Sequence, residues 1–128
     1  MSQLTPISTK NAPAAIGPYS QAVKAGNTVY FSGQIPLIPE SMELVTGDIS
    51  GQAKQVFNNL KSVAEEAGGA MEKMAKIEIF LTDLNDFAAV NEVMKEFFTE
   101  PYPARACVEV AGLPKGAEVE IQAIMILD

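Results

Sequence analysis

The chain predicts an α+β fold in the order β-β-β-α-β-α-β-β, a mixed sheet of five or six strands with two helices on one face. Three observations predict it. Several short segments alternate apolar and polar side chains with the period of two that a half-buried strand requires. Two longer segments repeat their apolar residues at steps of three and four, the period of an amphipathic helix. Two helices can cover only one face of such a sheet, which leaves the other to be covered by something else.

The elements follow in order. Pro6, Pro13, Pro18, Pro36 and Pro39 punctuate the first forty residues, so short strands and ordered loops are expected there. Leu4 to Ser8 reads as an edge strand. Gln21–Ala25 and Thr28–Ser32 flank Gly26-Asn27, a two-residue turn signal, and read as a hairpin. From Asp48 to Ala67 the residues Ile49, Ala53, Val56, Phe57, Leu60, Val63, Ala64 and Ala67 form one apolar face. Asp48 is suited to cap that helix, and Gly68-Gly69 to end it. Met74 to Thr82 alternates, with Ile77, Ile79 and Leu81 to one side and Lys76, Glu78 and Phe80 to the other. Asp83 or Asn85 can cap a second helix reaching about Phe98, with Phe87, Val90, Met94 and Phe97 as its stripe. Tyr102–Val110 and Glu118–Ala123 alternate again. The Gly- and Pro-rich loop between them reads as a hairpin turn.

Parity gives that hairpin a register. If Ala106, Val108 and Val110 join Val119, Ile121 and Ala123 on the helix side, Cys107 falls opposite Glu120 and Arg105 opposite Gln122. Arg105, Cys107 and Glu120 then share one patch on the open face, beside Phe80, Ile124 and Ile126. A half-apolar face of that area is an association surface more often than a solvated one, so homo-oligomerisation is expected.

Length fits one domain, residues 1–128. The net charge of −7, with no two basic residues adjacent, weighs against nucleic-acid binding through phosphates and against an anionic membrane. One cysteine excludes an internal disulfide and suits a reducing compartment. The N-terminus has no basic and apolar leader and no segment long enough to span a bilayer, so a cytoplasmic location is expected.

The absence of histidine is more decisive. It removes Ser-His-Asp and Cys-His chemistry and histidine-ligated zinc, while one cysteine removes a thiolate cluster. Any catalysis must run on carboxylates, tyrosine, hydroxyls, backbone groups and water. Arg105 is the only arginine. Its planar fork suits a small-molecule carboxylate, and an ordinary ion pair with Glu120 is the alternative.

Five separated blocks carry a resemblance: Gly17-Pro18-Tyr19-Ser20-Gln21-Ala22; Phe31-Ser32-Gly33-Gln34-Ile35-Pro36; Phe80-Leu81-Thr82-Asp83 with Asn91-Glu92-Val93; Pro103-Ala104-Arg105-Ala106-Cys107-Val108; and Leu113-Pro114-Lys115-Gly116 with Val119-Glu120-Ile121. In order and over essentially the whole chain, they resemble the reactive intermediate deaminase family, the RidA (YjgF) proteins. The resemblance implies a chorismate-mutase-like α+β fold, a homotrimer with sites between subunits, and no cofactor or metal. It also implies hydrolysis of 2-imino acids and enamines, of the 2-iminobutanoate and 2-iminopropanoate type, to 2-keto acids and ammonia.

Carried over by residue, Arg105 would bind the substrate carboxylate and Glu120 would act as general base on water. Tyr19 would close the cleft, Ser32 and Gly33 would lie beside the substrate, Asn91 would contribute from the second helix, and Cys107 would touch the ligand through its backbone. Cys107 has no histidine or lysine partner in evidence to make it a nucleophile. Gln122, Met94 and Ser41-Met42 depart from the family's common pattern. A keto-acid-binding sensor, a chaperone-like trimer and a ribonuclease or translation inhibitor are the rival readings.

Overall fold

A computed structural model describes residues 3–128. It contains β1 (Leu4–Ile7), β2 (Ala22–Ala25), β3 (Thr28–Gln34), α1 (Ile49–Glu66), β4 (Met74–Leu81), α2 (Phe87–Phe97), β5 (Ala104–Glu109) and β6 (Val119–Ile126). The six strands form one mixed sheet in the order β1-β2-β3-β6-β4-β5. Type, order and approximate bounds of all eight elements agree with the sequence reading. Asp48 caps α1 by accepting the Gly51 N–H at 3.0 Å. Gly68 follows the helix at φ 91, the left-handed position that favours glycine. Asp83 instead caps a single 3₁₀ turn, Leu84–Asp86, that leads into α2.

Topology follows from the two helices. Each links strands that run the same way, α1 from β3 to β4 and α2 from β4 to β5, and such parallel strands need a crossover rather than a turn. Both crossovers lie over the same face. The core therefore sits between α1 and α2 on one side and the inward residues of the central strands on the other. Ile77, Ile79 and Leu81 of β4 meet Val119, Ile121 and Met125 of β6 there, all essentially without exposure. Phe57 of α1 closes the layer, stacked on Phe97 at 5.3 Å and edge-on to Phe98 at 5.8 Å.

The C-terminal hairpin is not formed. β4 lies between β5 and β6, parallel to the first and antiparallel to the second. The Gly/Pro signal was local, whereas burial decided the partners. β6 presents Val119, Ile121, Ala123 and Met125 to the core and takes a central place with neighbours on both sides, β3 and β4. β5, with alanines and an arginine in its pattern, is largely exposed and takes the edge.

The change reverses the face of β5. Arg105 aligns with Ile77 and Cys107 with Ile79, on the helix side, whereas Val108 aligns with Phe80, which in turn faces Glu120. The expected patch of Arg105, Cys107 and Glu120 is therefore split across the sheet. On the open face lie Val108, 46% exposed, Tyr30, 50% exposed, and the half-buried Phe80 and Ile124. That face is apolar, as expected, but through Val108 rather than Cys107.

Candidate functional site

Two depressions hold the residues singled out from the sequence. The first, about 580 Å³, opens beside Glu120 and is lined by Tyr19, Ser32, Gly33, Gln34, Pro114, Lys115 and Gln122, with Pro13, Ala14, Ile16, Ile35 and Leu37 as apolar wall. The second, about 390 Å³, is formed by Asn91, Met94 and Lys95 of α2 with Tyr102, Pro103 and Arg105.

The Glu120 cleft is built largely from backbone. The β3–β6 register slips between Phe31 and Gln34, so Ser32 and Gly33 form a bulge next to β6. A Cβ on Gly33 would overlap the Glu120 carboxylate, so glycine is the residue that lets this side chain lie across the bulge. The sequence reading gave Gly33 a close approach to substrate; in the structure its close neighbour is Glu120.

Ser32 donates its hydroxyl proton to the Ser20 carbonyl at 2.6 Å. It ties the Tyr19–Ser20 segment to the bulge and leaves its lone pairs for any ligand. Tyr19 is half exposed at the opening. Gln122 donates to Glu78 at 2.8 Å, which fills the carboxylate's neighbourhood with a neutral amide.

A wall of this cleft depends on a residue that the sequence analysis left without a role. Gln21 is 4% exposed. Its amide donates to the carbonyls of Thr9 at 3.0 Å, Ala12 at 3.3 Å and Pro13 at 2.8 Å, and accepts the Thr9 N–H at 2.7 Å. These bonds pin the loop that carries Pro13, Ala14 and Ile16. The signal was a glutamine in an otherwise apolar strand start, where a buried amide must find partners.

Glu120 is half-buried and, among the described residues, accepts no hydrogen bond from a side chain. Burial raises its pKa above the ordinary carboxylate value. No ion pair joins it to Arg105 among the described residues, which removes the structural salt bridge within the chain as an account of this pair.

Arg105 is held from the other side. Nη1 donates to Asn91 Oδ1 at 2.6 Å and approaches Met94 Sδ at 3.7 Å, and the guanidinium lies over the Phe87 ring at 4.9 Å. Phe87, Asn91 and Met94 fall at steps of four and three, so one face of α2 makes the platform. Asn91 thus orients the arginine, and Phe87 is the partner the sequence reading had placed only in the core stripe. The remaining guanidinium N–H groups have no protein acceptor among the described residues and are open to solvent.

Cys107 lies one step along the same face of β5, packed against the core. Burial pushes its thiol pKa up, and the nearby Arg105 charge only partly opposes this. It is a protonated, poorly nucleophilic thiol at neutral pH.

Within one chain, then, Tyr19, Ser32, Gly33 and Glu120 meet, and Arg105, Asn91 and Cys107 meet, but the two groups lie on opposite faces of the sheet with β4 between them. Among the described residues no cluster of acidic or cysteine side chains could hold a metal ion, and no helix is long and apolar enough to cross a membrane.

Comparison with known proteins shows the family and the fold. The chain is 53% identical over 122 residues to a 2-iminobutanoate/2-iminopropanoate deaminase of Dermatophagoides farinae, covering 95% of each chain. It superposes on the crystal structure of RidA from an Antarctic Psychrobacter with a TM-score of 0.91 at 55% identity, over 94% of this chain and 98% of that one. Escherichia coli TdcF with bound serine gives a TM-score of 0.91 at 45% identity, over 97% of this chain and 99% of the other. A family profile described as Endoribonuclease L-PSP matches residues 9–127. With fold, sequence and the five motif blocks in agreement over nearly the whole length, the chain belongs to this family, that of the RidA proteins.

Proposed function

We propose that the protein hydrolyses 2-imino acids and their enamine tautomers to 2-keto acids and ammonia, in clefts completed between copies of the chain in a homotrimer. The observation that carries this reading is the division of the site. An arginine with open N–H groups and a desolvated carboxylate lie on opposite faces of one protomer, too far apart in the fold to hold one small acid. The apolar open face beside Glu120 supports assembly, and the identity to imine deaminases supports the chemistry.

In the reaction, Arg105 of one protomer grips the substrate carboxylate while Glu120 of another holds water against the imine carbon. The raised pKa makes Glu120 a stronger base than an exposed glutamate. It takes a proton as the water oxygen bonds to carbon, and the C=N π pair moves to nitrogen. The proton then passes to that nitrogen; as the C–N bond breaks, Glu120 takes the hydroxyl proton, the carbonyl forms, and the departing ammonia carries that proton away as ammonium. A protonated 2-imino acid is already electrophilic, so positioning and one base suffice. No covalent intermediate on Cys107 is required.

The rival readings differ in what they ask of the chain. A sensor needs Arg105 but has no use for a desolvated base beside water. A ribonuclease would have to work against −7 and dispersed lysines. The reducing cytosol, where a lone thiol persists, is the compartment we assign.

Subunit mixing tests the divided site. Arg105→Lys and Glu120→Gln trimers, each nearly inactive, are dissociated, mixed in equal amounts and reassembled. About a quarter of sites should then pair an intact Arg105 with an intact Glu120. Recovery of activity supports the inter-subunit cleft. If activity stays absent although mass spectrometry confirms mixed trimers, the two residues do not meet between protomers.

A further inference from the structure

We propose that Lys115 is a further substrate-positioning residue, a cation that holds the anionic imino or keto acid at the mouth of the Glu120 cleft. Three observations converge on it. Among the described residues Lys115 and Glu120 are the only charged ones that line the cleft. A ligand carboxylate entering there meets a carboxylate and, overall, a chain of net charge −7, so a local cation at the mouth offsets that barrier before the acid reaches the Arg105 of a neighbouring protomer.

The ammonium is also uncommitted. Among the described residues it forms neither an ion pair nor a hydrogen bond, as is also true of Lys10, Lys24 and Lys61, but of these four lysines Lys115 alone lines the cleft.

Finally, the backbone at Lys115 has φ 60 and ψ 19, followed by Gly116 at φ 73. The left-handed region favours glycine, so a lysine there runs against the local backbone preference. The loop itself is fixed without the lysine side chain, by the Gly116 N–H to the Leu113 carbonyl at 3.3 Å and the Ala117 N–H to the Pro114 carbonyl at 3.1 Å, with Ala117 buried. The side chain is exposed and spare for the fold, so its value lies at the cleft.

This inference rests on the deaminase reading, and its test separates the two. Lys115→Gln, Lys115→Gly and Lys115→Arg are compared with the unaltered trimer in imine hydrolysis and in calorimetric titration with 2-oxobutanoate. The glutamine and glycine variants should raise KM, and weaken keto-acid binding, by about fivefold, the scale of one exposed charge pair. Their kcat should stay within about twofold, and the ionic-strength dependence of kcat/KM should flatten. Arginine should retain most of the binding. The glycine variant should melt higher than the original while binding worse, a combination that a purely structural lysine cannot produce. Unchanged KM and keto-acid affinity in both variants, or a loss confined to kcat, overturns the role of Lys115 and leaves the deaminase reading intact. An unaltered trimer that does not hydrolyse imines overturns that reading, and the keto-acid titration then decides Lys115 alone.

Discussion

The two halves of the site are built by different means. Around Arg105 the work is done by side chains of one helix: Phe87 beneath the guanidinium, Asn91 at its Nη1 and Met94 alongside. Around Glu120 it is done by backbone: a bulge at Ser32-Gly33, a loop pinned by Gln21 and a left-handed turn at Lys115. The first half strengthens a charge that is to be met by an opposite one. The second weakens a charge, by burial, so that it will accept a proton. Within one protomer the sheet separates these two environments.

The largest effect is expected at the helix-built half. Arg105→Lys keeps the charge but loses the fork and its seat on Phe87, and kcat/KM should fall on the order of several hundredfold with the fold intact. Near-normal rates in the lysine variant would show that the arginine is not the carboxylate anchor.

At the backbone-built half, Glu120→Gln keeps size and removes the base, so turnover should fall by about a hundredfold while 2-oxobutanoate still binds. The pH dependence has a definite sign. The base must be deprotonated, so kcat/KM should fall on the acid side at a pH above that of an ordinary glutamate. Stability runs the other way. A carboxyl whose folded pKa is raised favours the protonated folded state, a contribution complete below the ordinary carboxylate pKa and lost as pH rises through the folded value. The glutamine variant should therefore melt no lower than the original at neutral pH, with its relative advantage shrinking in acid. A clear loss of stability at pH 7 would mean that Glu120 is held by a structural partner.

Gly33→Ala sharpens the contrast, because its Cβ meets Glu120 rather than any helix. The carboxylate, at the end of a flexible chain, can move aside cheaply, so stability should change little while turnover falls about tenfold through misplacement of the base. In a Glu120→Gln background the same change should cost almost nothing more. An equal further loss there would show that Gly33 acts on the substrate directly.

Cys107→Ser should have the smallest effect, within about threefold in kcat/KM, since the protonated thiol has no bond-making role. Loss of several orders of magnitude in a folded trimer would restore the nucleophile.

How far the site was legible depends on the range of the interaction. Asp48, the α1 stripe and the β4 alternation are local patterns, and each was read to within a residue or two. Chemistry by elimination was equally legible, since no arrangement of this chain can supply a histidine. The partners of β5 and β6 were not. Their loop carries every hairpin signal, yet β6 is apolar enough to require neighbours on both sides, and only competition among all six strands assigns it the centre. That competition also turned Arg105 toward α2. On β5 both faces are weakly apolar, and parity put Val108 rather than Cys107 on the helix side; the ring of Phe87 and the amide of Asn91 hold Arg105, and with it Cys107, on that side instead.

Element order, the one-sided placement of the helices, the lone guanidinium and the histidine-free chemistry are legible in the chain alone, because periodicity, capping and composition act within a turn or a strand. Which strands are neighbours, that Gly33 seats Glu120, and that Arg105 and Glu120 lie on opposite faces of the sheet are outcomes of packing across the whole chain. Strand pairing is a choice among distant segments, and each choice of neighbour or register sets the face of every side chain that follows.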